Sequence, residues 1–156
     1  MSAAPPPTAP LLLDRAAIAA LIPHAGAMCL LDGVTQWNGD RIVCISHSHT
    51  DARHPLRQGE GLPALCGIEY AAQAMAVHGG LTALAGKRPR GGYLASLRDV
   101  RCARMRLDDL PGPLTIDAAR LMGDGAHVIY QFTLNAGPEQ VLSGRAAVVL
   151  DVGAPD

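Results

Sequence analysis

Glu69 has the most unusual surroundings of any residue in the chain. Between Leu62 and His78, Glu69 and Gln73 are the only strongly polar side chains in an Ala-rich apolar run. A carboxylate among apolar residues is costly to ionise, and burial raises its pKa towards the protonated form. Such a group suits proton transfer near neutral pH. Gln73 follows four residues later, on the same helical face and within reach to orient it. The competing reading is a Glu near a helix start that points outward and favours the helix dipole. Histidine is the other near-neutral proton carrier. His24 stands in Ile22-Pro23-His24-Ala25-Gly26, and His54 stands before Pro55 in a polar stretch. Each reads either as a proton carrier or as an ordinary structural or solvated histidine; His78 and His127 read as structural.

The run His47-Ser48-His49-Thr50-Asp51 has a metal-ligand spacing, since on a strand His47 and His49 share a face. Hydrolases built on that pattern need a longer chain, more downstream ligands and a further His where Ala52 stands, so no metal is expected. No nucleophile elbow and no phosphate-binding loop occurs. The cysteines at 29, 44, 66 and 102 form no C-x-x-C pair and lie in apolar stretches, as small hydrophobes in a reducing compartment do. Arg88, Arg90, Arg98, Arg101, Arg104 and Arg106 cluster locally. They read as a solvated strand face or as a dock for an acidic partner.

These residues must be held by one domain, because 156 residues leave little room for two. At 49% hydrophobic and 17% charged residues, a packed core is expected and a disordered chain is excluded. The formal net charge of -1 and the 3% aromatic content argue against a nucleic-acid partner. Residues 1–10 read as a loose tail and 11–156 as the domain. Asp14 caps a short helix that ends before Pro23. Asp32-Gly33 reads as a turn or bulge, and Trp37 to Asp40 as a hairpin signal before a strand over Arg41 to Ser46. Leu62 to Ala85 reads as one long buried helix rather than a membrane span, given its Gly, Glu69, Gln73 and His78. After a basic Pro/Gly connector come strands over Tyr93 to Met105, Leu114 to Leu121, His127 to Leu134 and Val141 to Leu150. The result is an α+β arrangement, one antiparallel sheet wrapped around one long buried helix. With no leader-like segment, a cytoplasmic location is expected.

The chain resembles the hotdog-fold 3-hydroxyacyl-(acyl carrier protein) dehydratases, and within them the dehydratase-like proteins of aryl-polyene and related fatty-acid-like pathways. The resemblance runs from about Ile22 to Leu150. Ile22-Pro23-His24 with Met28-Cys29-Leu30-Leu31-Asp32 is similar to the family's opening segment. Leu62-Pro63-Ala64-Leu65-Cys66-Gly67-Ile68-Glu69 matches, without a gap, the M-P-G-V-L-x-I-E that opens its central helix, and Gln73 matches the Gln that follows. Tyr93 to Leu97 and Val100-Arg101 resemble its next strand.

The resemblance implies a single hotdog domain and elimination of water from a 3-hydroxyacyl thioester, with no cofactor. A His and a buried Glu share the proton transfers, coming from different protomers of a dimer. Glu69 fits the acid, and backbone N–H groups from Ala64 through Cys66 to Gly67 fit an oxyanion site for the thioester carbonyl. The family's His-Phe-Pro motif would put its His at Pro55, so His54 is one position off and lacks the Phe. His24 is therefore the favoured partner of Glu69, with His54 second. The partner implied is an acyl carrier protein bearing the acyl chain on 4'-phosphopantetheine, docked on Arg98, Arg101 and Arg104. A homodimer or a heterodimer with another hotdog subunit is implied as well. Two other functions fit the same residues. A hotdog thioesterase would use Glu69 as base or nucleophile, and a non-catalytic subunit would complete a heterodimer.

Overall fold

A computed structural model describes residues 10–22, 26–83, 91–123 and 126–151. His24, the tail over residues 1–9 and most of the basic connector lie outside the described residues. The chain opens with a two-residue strand, β1 (Leu13–Asp14), and a short helix, α1 (Arg15–Ala19). Asp14 caps that helix as expected, its carboxylate accepting the Ala17 N–H at 2.9 Å. The hairpin signal closes β2 (Gly33–Trp37) onto β3 (Arg41–Ser46), with the irregularity between Val34 and Gln36 rather than at Asp32-Gly33. Gly33 instead starts the ladder, pairing with Asp14 on one side and Ile45 on the other.

The central helix begins later than the apolar run suggests. Pro63 is extended, Ala64–Cys66 forms a 3-10 turn, and α2 spans Gly67–Thr82. Four strands follow: β4 (Gly91–Cys102), β5 (Leu114–Gly123), β6 (His127–Ala136) and β7 (Glu139–Asp151). They join one antiparallel sheet in the order β1-β2-β3-β5-β6-β7-β4. Alternation places the core. Leu114, Ile116 and Ala118 of β5 and Val128, Tyr130, Phe132 and Leu134 of β6 are buried, while the residues between them face outward. Against that inner face α2 packs Tyr70, Ala71, Ala74, Met75 and Val77, completing the hotdog arrangement.

Both ends of α2 are pinned. Gly67 meets the sheet so closely that a Cβ there would stand 2.8 Å from methyl carbons of both Leu134 and Leu142. At the far end His78 is fully buried: its Nε2–H donates to the Asn38 carbonyl (2.8 Å), and the Tyr130 hydroxyl donates to its Nδ1 (2.7 Å). That contact ties the β2–β3 turn to the helix. Among the described residues β4 pairs only with β7, and its residues from Ala95 to Cys102 are exposed. Its ladder is broken between Arg98 and Arg101, where Asp99 adopts a left-handed conformation at φ 55. Among the described residues no helix is long and apolar enough to cross a membrane.

Candidate active site

The start of α2 is fixed by backbone bonds before any side chain contributes. The Ala64 N–H donates to the Met105 carbonyl and the Leu107 N–H to the Leu62 carbonyl, both at 2.9 Å. Cys66 donates to Pro63, and Gly67 to the carbonyls of Ala64 and Leu65, so these three amides are engaged within the chain. Glu69, the third residue of α2, sits in its first turn and is half-buried rather than enclosed; nearby Leu65 is exposed and Ile68 is half-buried against the core. The neighbouring Cys66 thiol has its pKa pushed up by burial and then by the charge of Glu69, which sets the two side by side.

Gln73 joins Glu69 to the start of the domain. Fully buried, it donates from Nε2 to the Met28 carbonyl (2.7 Å) and reaches Glu69 Oε1 (3.5 Å), while its Oε1 accepts the Leu30 N–H (2.9 Å). The segment Met28–Leu30 follows His24 closely in the sequence. That histidine lies outside the described residues, between the buried Ile22 and Gly26.

His54 is placed differently. Its Nδ1 accepts the Leu56 N–H (3.0 Å), so the ring proton sits on Nε2 and points at the Tyr70 hydroxyl (2.9 Å). The Tyr70 hydroxyl is 2.7 Å from Ser48 Oγ, which in turn lies 3.0 Å from the Leu30 carbonyl. Burial lowers the His54 pKa and pushes that of Tyr70 up to about 12, so both stay neutral. Leu30 is thus the node of one network, with Gln73 on its N–H and Ser48 on its carbonyl. Through it the structure links Glu69, Gln73 and His54. Beside it opens a cavity of about 270 Å³ lined by Arg15, Cys29, Ser48, His54 and the loop around Asp51.

The His47-x-His49-x-Asp51 run is dispersed. Exposed His47 pairs with Asp32 (3.2 Å), and buried His49 donates from Nε2 to the Leu110 carbonyl (2.9 Å). Among the described residues no group of three His, Cys, Asp or Glu side chains could hold a metal ion. The arginine cluster also divides. Arg104 is paired with Glu139 through two bonds (2.8 and 2.9 Å), and Arg106 with Asp108, while Arg98 and Arg101 stay exposed on β4. Arg88 and Arg90 lie outside the described residues. Sequence reasoning missed Tyr70, Ser48 and Arg145. Tyr70 had a signal: a phenol in a buried helix requires a hydrogen-bond partner.

The sequence matches the family model described as ApeP-like, the ApeP dehydratase, over residues 16–152. The chain belongs to the ApeP-like family. Among solved structures, this ApeP-like chain is similar to the dehydratase heterocomplex ApeI:P from Xenorhabdus doucetiae, at 23% identity and TM-score 0.75, covering 89% of this chain and 91% of that one. Its fold is also that of a mutant of thioesterase PA1618 from Pseudomonas aeruginosa (11% identity, TM-score 0.58, 76% and 80% covered). The E. coli PaaI protein from the phenylacetic acid degradation operon shares it too (13% identity, TM-score 0.60, 86% and 88% covered). Among curated proteins none matches the sequence significantly.

Proposed function

We propose that this ApeP-like chain removes water from a 3-hydroxyacyl thioester carried on the phosphopantetheine arm of an acyl carrier protein. The product is the trans-2-enoyl thioester of a fatty-acid-like or polyene pathway. The observation that carries this reading is the Glu69–Gln73 pair in a chain of a dehydratase family, with Gln73 also holding Met28 and Leu30, which follow His24 in the sequence. In the proposed elimination a base takes the C2 proton, and the C–H electron pair forms the C2–C3 double bond. The 3-hydroxyl leaves as water after Glu69 protonates it. The thioester lies along the start of α2, near Ala64, Cys66, Gly67 and Glu69, where the positive end of the helix dipole favours negative charge growing on the carbonyl oxygen.

His24 is the proposed base. Both ring nitrogens of His54 are engaged in buried bonds, and its lone pair faces the Leu56 N–H rather than open space. A second hotdog subunit is the proposed partner, as in the heterocomplex named above. Two features support it: the unpaired outer edge of β4, and apolar side chains beside the helix start. Met105 is 88% exposed and Leu65 58%, which is unusual for residues flanking a buried helix.

Mass spectrometry of a 3-hydroxyacyl carrier protein, incubated with the purified chain and with its co-purified partner, tests the reading. Loss of one water is expected, and loss of that activity in Glu69→Gln. Release of a free acid would make the chain a thioesterase. A folded Glu69→Gln that still dehydrates would remove the acid role.

A further inference from the structure

Three exposed arginines on the outer face of the sheet have no counter-ion among the described residues. Arg98 of β4 stands directly opposite Arg145 of β7, and Arg101 of β4 opposite Ser143, two residues along. None of the three makes an ion pair with a described residue, Asp99 between them included. Other arginines are paired, Arg41 with Asp117, Arg104 with Glu139 and Arg106 with Asp108, while the half-buried Arg57 and Arg120 donate to the backbone carbonyls of Glu60 and Gly123. Like charges directly opposite each other on a sheet are destabilising. Among the described residues the only side-chain bond of the group is Arg145 Nε to Gln131 Oε1 at 3.4 Å, and an amide oxygen carries no charge to offset the arginine. Around the arginines lie hydroxyl and amide side chains, Ser143 facing Thr133 and Gln131 facing Arg145 across β6 and β7.

The geometry points to a docking surface for a carboxylate-rich protein, centred on Arg98, Arg101 and Arg145. The inference deepens the functional reading above, the acidic protein being the one that delivers the thioester. Arg145 separates this occupant from a subunit that extends the sheet. A strand added at the β4 edge would lie about 5 Å beyond β4 and roughly 10 Å from β7. Its side chains would face Arg98 and Arg101 far better than Arg145. A ligand lying on the face meets all three. Nucleic acid is disfavoured, since three cations on a chain of net charge -1 neutralise too few phosphates. Relative to the sequence expectation, Arg145 enters the surface, and Arg104 is engaged by Glu139.

Binding of a purified acyl carrier protein to the full chain, read by fluorescence anisotropy without turnover, tests the inference. Replacing Arg98, Arg101 and Arg145 together by Gln should weaken binding about tenfold at low salt, as three exposed ion pairs would. The difference should vanish in high salt. Arg41→Gln, which removes one of the same charges away from the triad, should leave affinity unchanged. Equal affinity of the triple variant and the wild type would overturn the inference. So would an equal loss in Arg41→Gln, which would indicate bulk charge alone. Loss of assembly with the partner subunit on gel filtration would reassign the triad to the subunit contact. Because binding is read without chemistry, a chain that binds the carrier and dehydrates nothing sinks only the catalytic reading.

Discussion

At the level of single residues, His54 illustrates how a hydrogen-bond inventory decides a role. Its nitrogens serve Leu56 and Tyr70, and the chain continues through Ser48 to Leu30. Removing the Tyr70 hydroxyl would leave the buried His54 Nε2–H and the Ser48 hydroxyl without that partner. Tyr70→Phe should therefore cost about 1–3 kcal/mol, measured as a lower urea midpoint at pH 7.5; an unchanged midpoint would mean that the network contributes nothing. The spacing of Glu69 and Gln73 in the sequence was enough to find the pair. What could not be read there is that Gln73 is a three-way clamp, because its other partners, Met28 and Leu30, are 45 and 43 residues away. Likewise the metal-like spacing of His47 and His49 fails because a 3-10 turn over Ser48–Thr50 replaces the strand that would align them.

Among the elements, the strands were legible because alternation and turn residues are local signals. The Trp37–Asp40 hairpin and the strand over Arg41–Ser46 stand where those signals put them. The helix start was misread because apolar composition continues through Leu62–Cys66, whereas Pro63 and the backbone bonds to Met105 and Leu107 hold that stretch out of the helix. Gly67 then marks where the helix first touches the sheet. Its packing role makes a sharp prediction. Gly67→Ala would gain about 1 kcal/mol in helix propensity. It would also drive a methyl into Leu134 and Leu142, and overpacking of this kind costs about 1–3 kcal/mol. A net loss of stability is expected in denaturant titration. A more stable variant would show that both leucines turn aside at no cost. The unpaired β4 edge was not legible at all, since an edge is a property of strand order, which no local pattern encodes.

At the scale of the domain, three histidines among the described residues are buried: His49, His54 and His78. Burial is the largest cause of a lowered pKa at each, and no described carboxylate is bonded to any of their rings. His49 is the most exposed to this penalty, because its Nδ1 is buried with no hydrogen-bond partner. In the unfolded chain these rings titrate near the ordinary value of 6.5. Below that pH the unfolded state takes up protons that the folded state refuses, so stability falls as pH falls. Each ring contributes up to about 1.4 kcal/mol per pH unit between its unfolded and its lower folded value. Carboxylates held low by arginine, Asp108 by Arg106 and Glu139 by Arg104, act in the same direction, but only nearer pH 4. The chain should therefore lose stability in two stages on acidification, the first beginning near pH 6.5, before any carboxylate is neutralised. Urea midpoints at pH 7.5, 6.5 and 5.5 would reveal it. A flat profile across that range would mean that water reaches the rings and protonates them in the folded state, with His49 Nδ1 the first place to look.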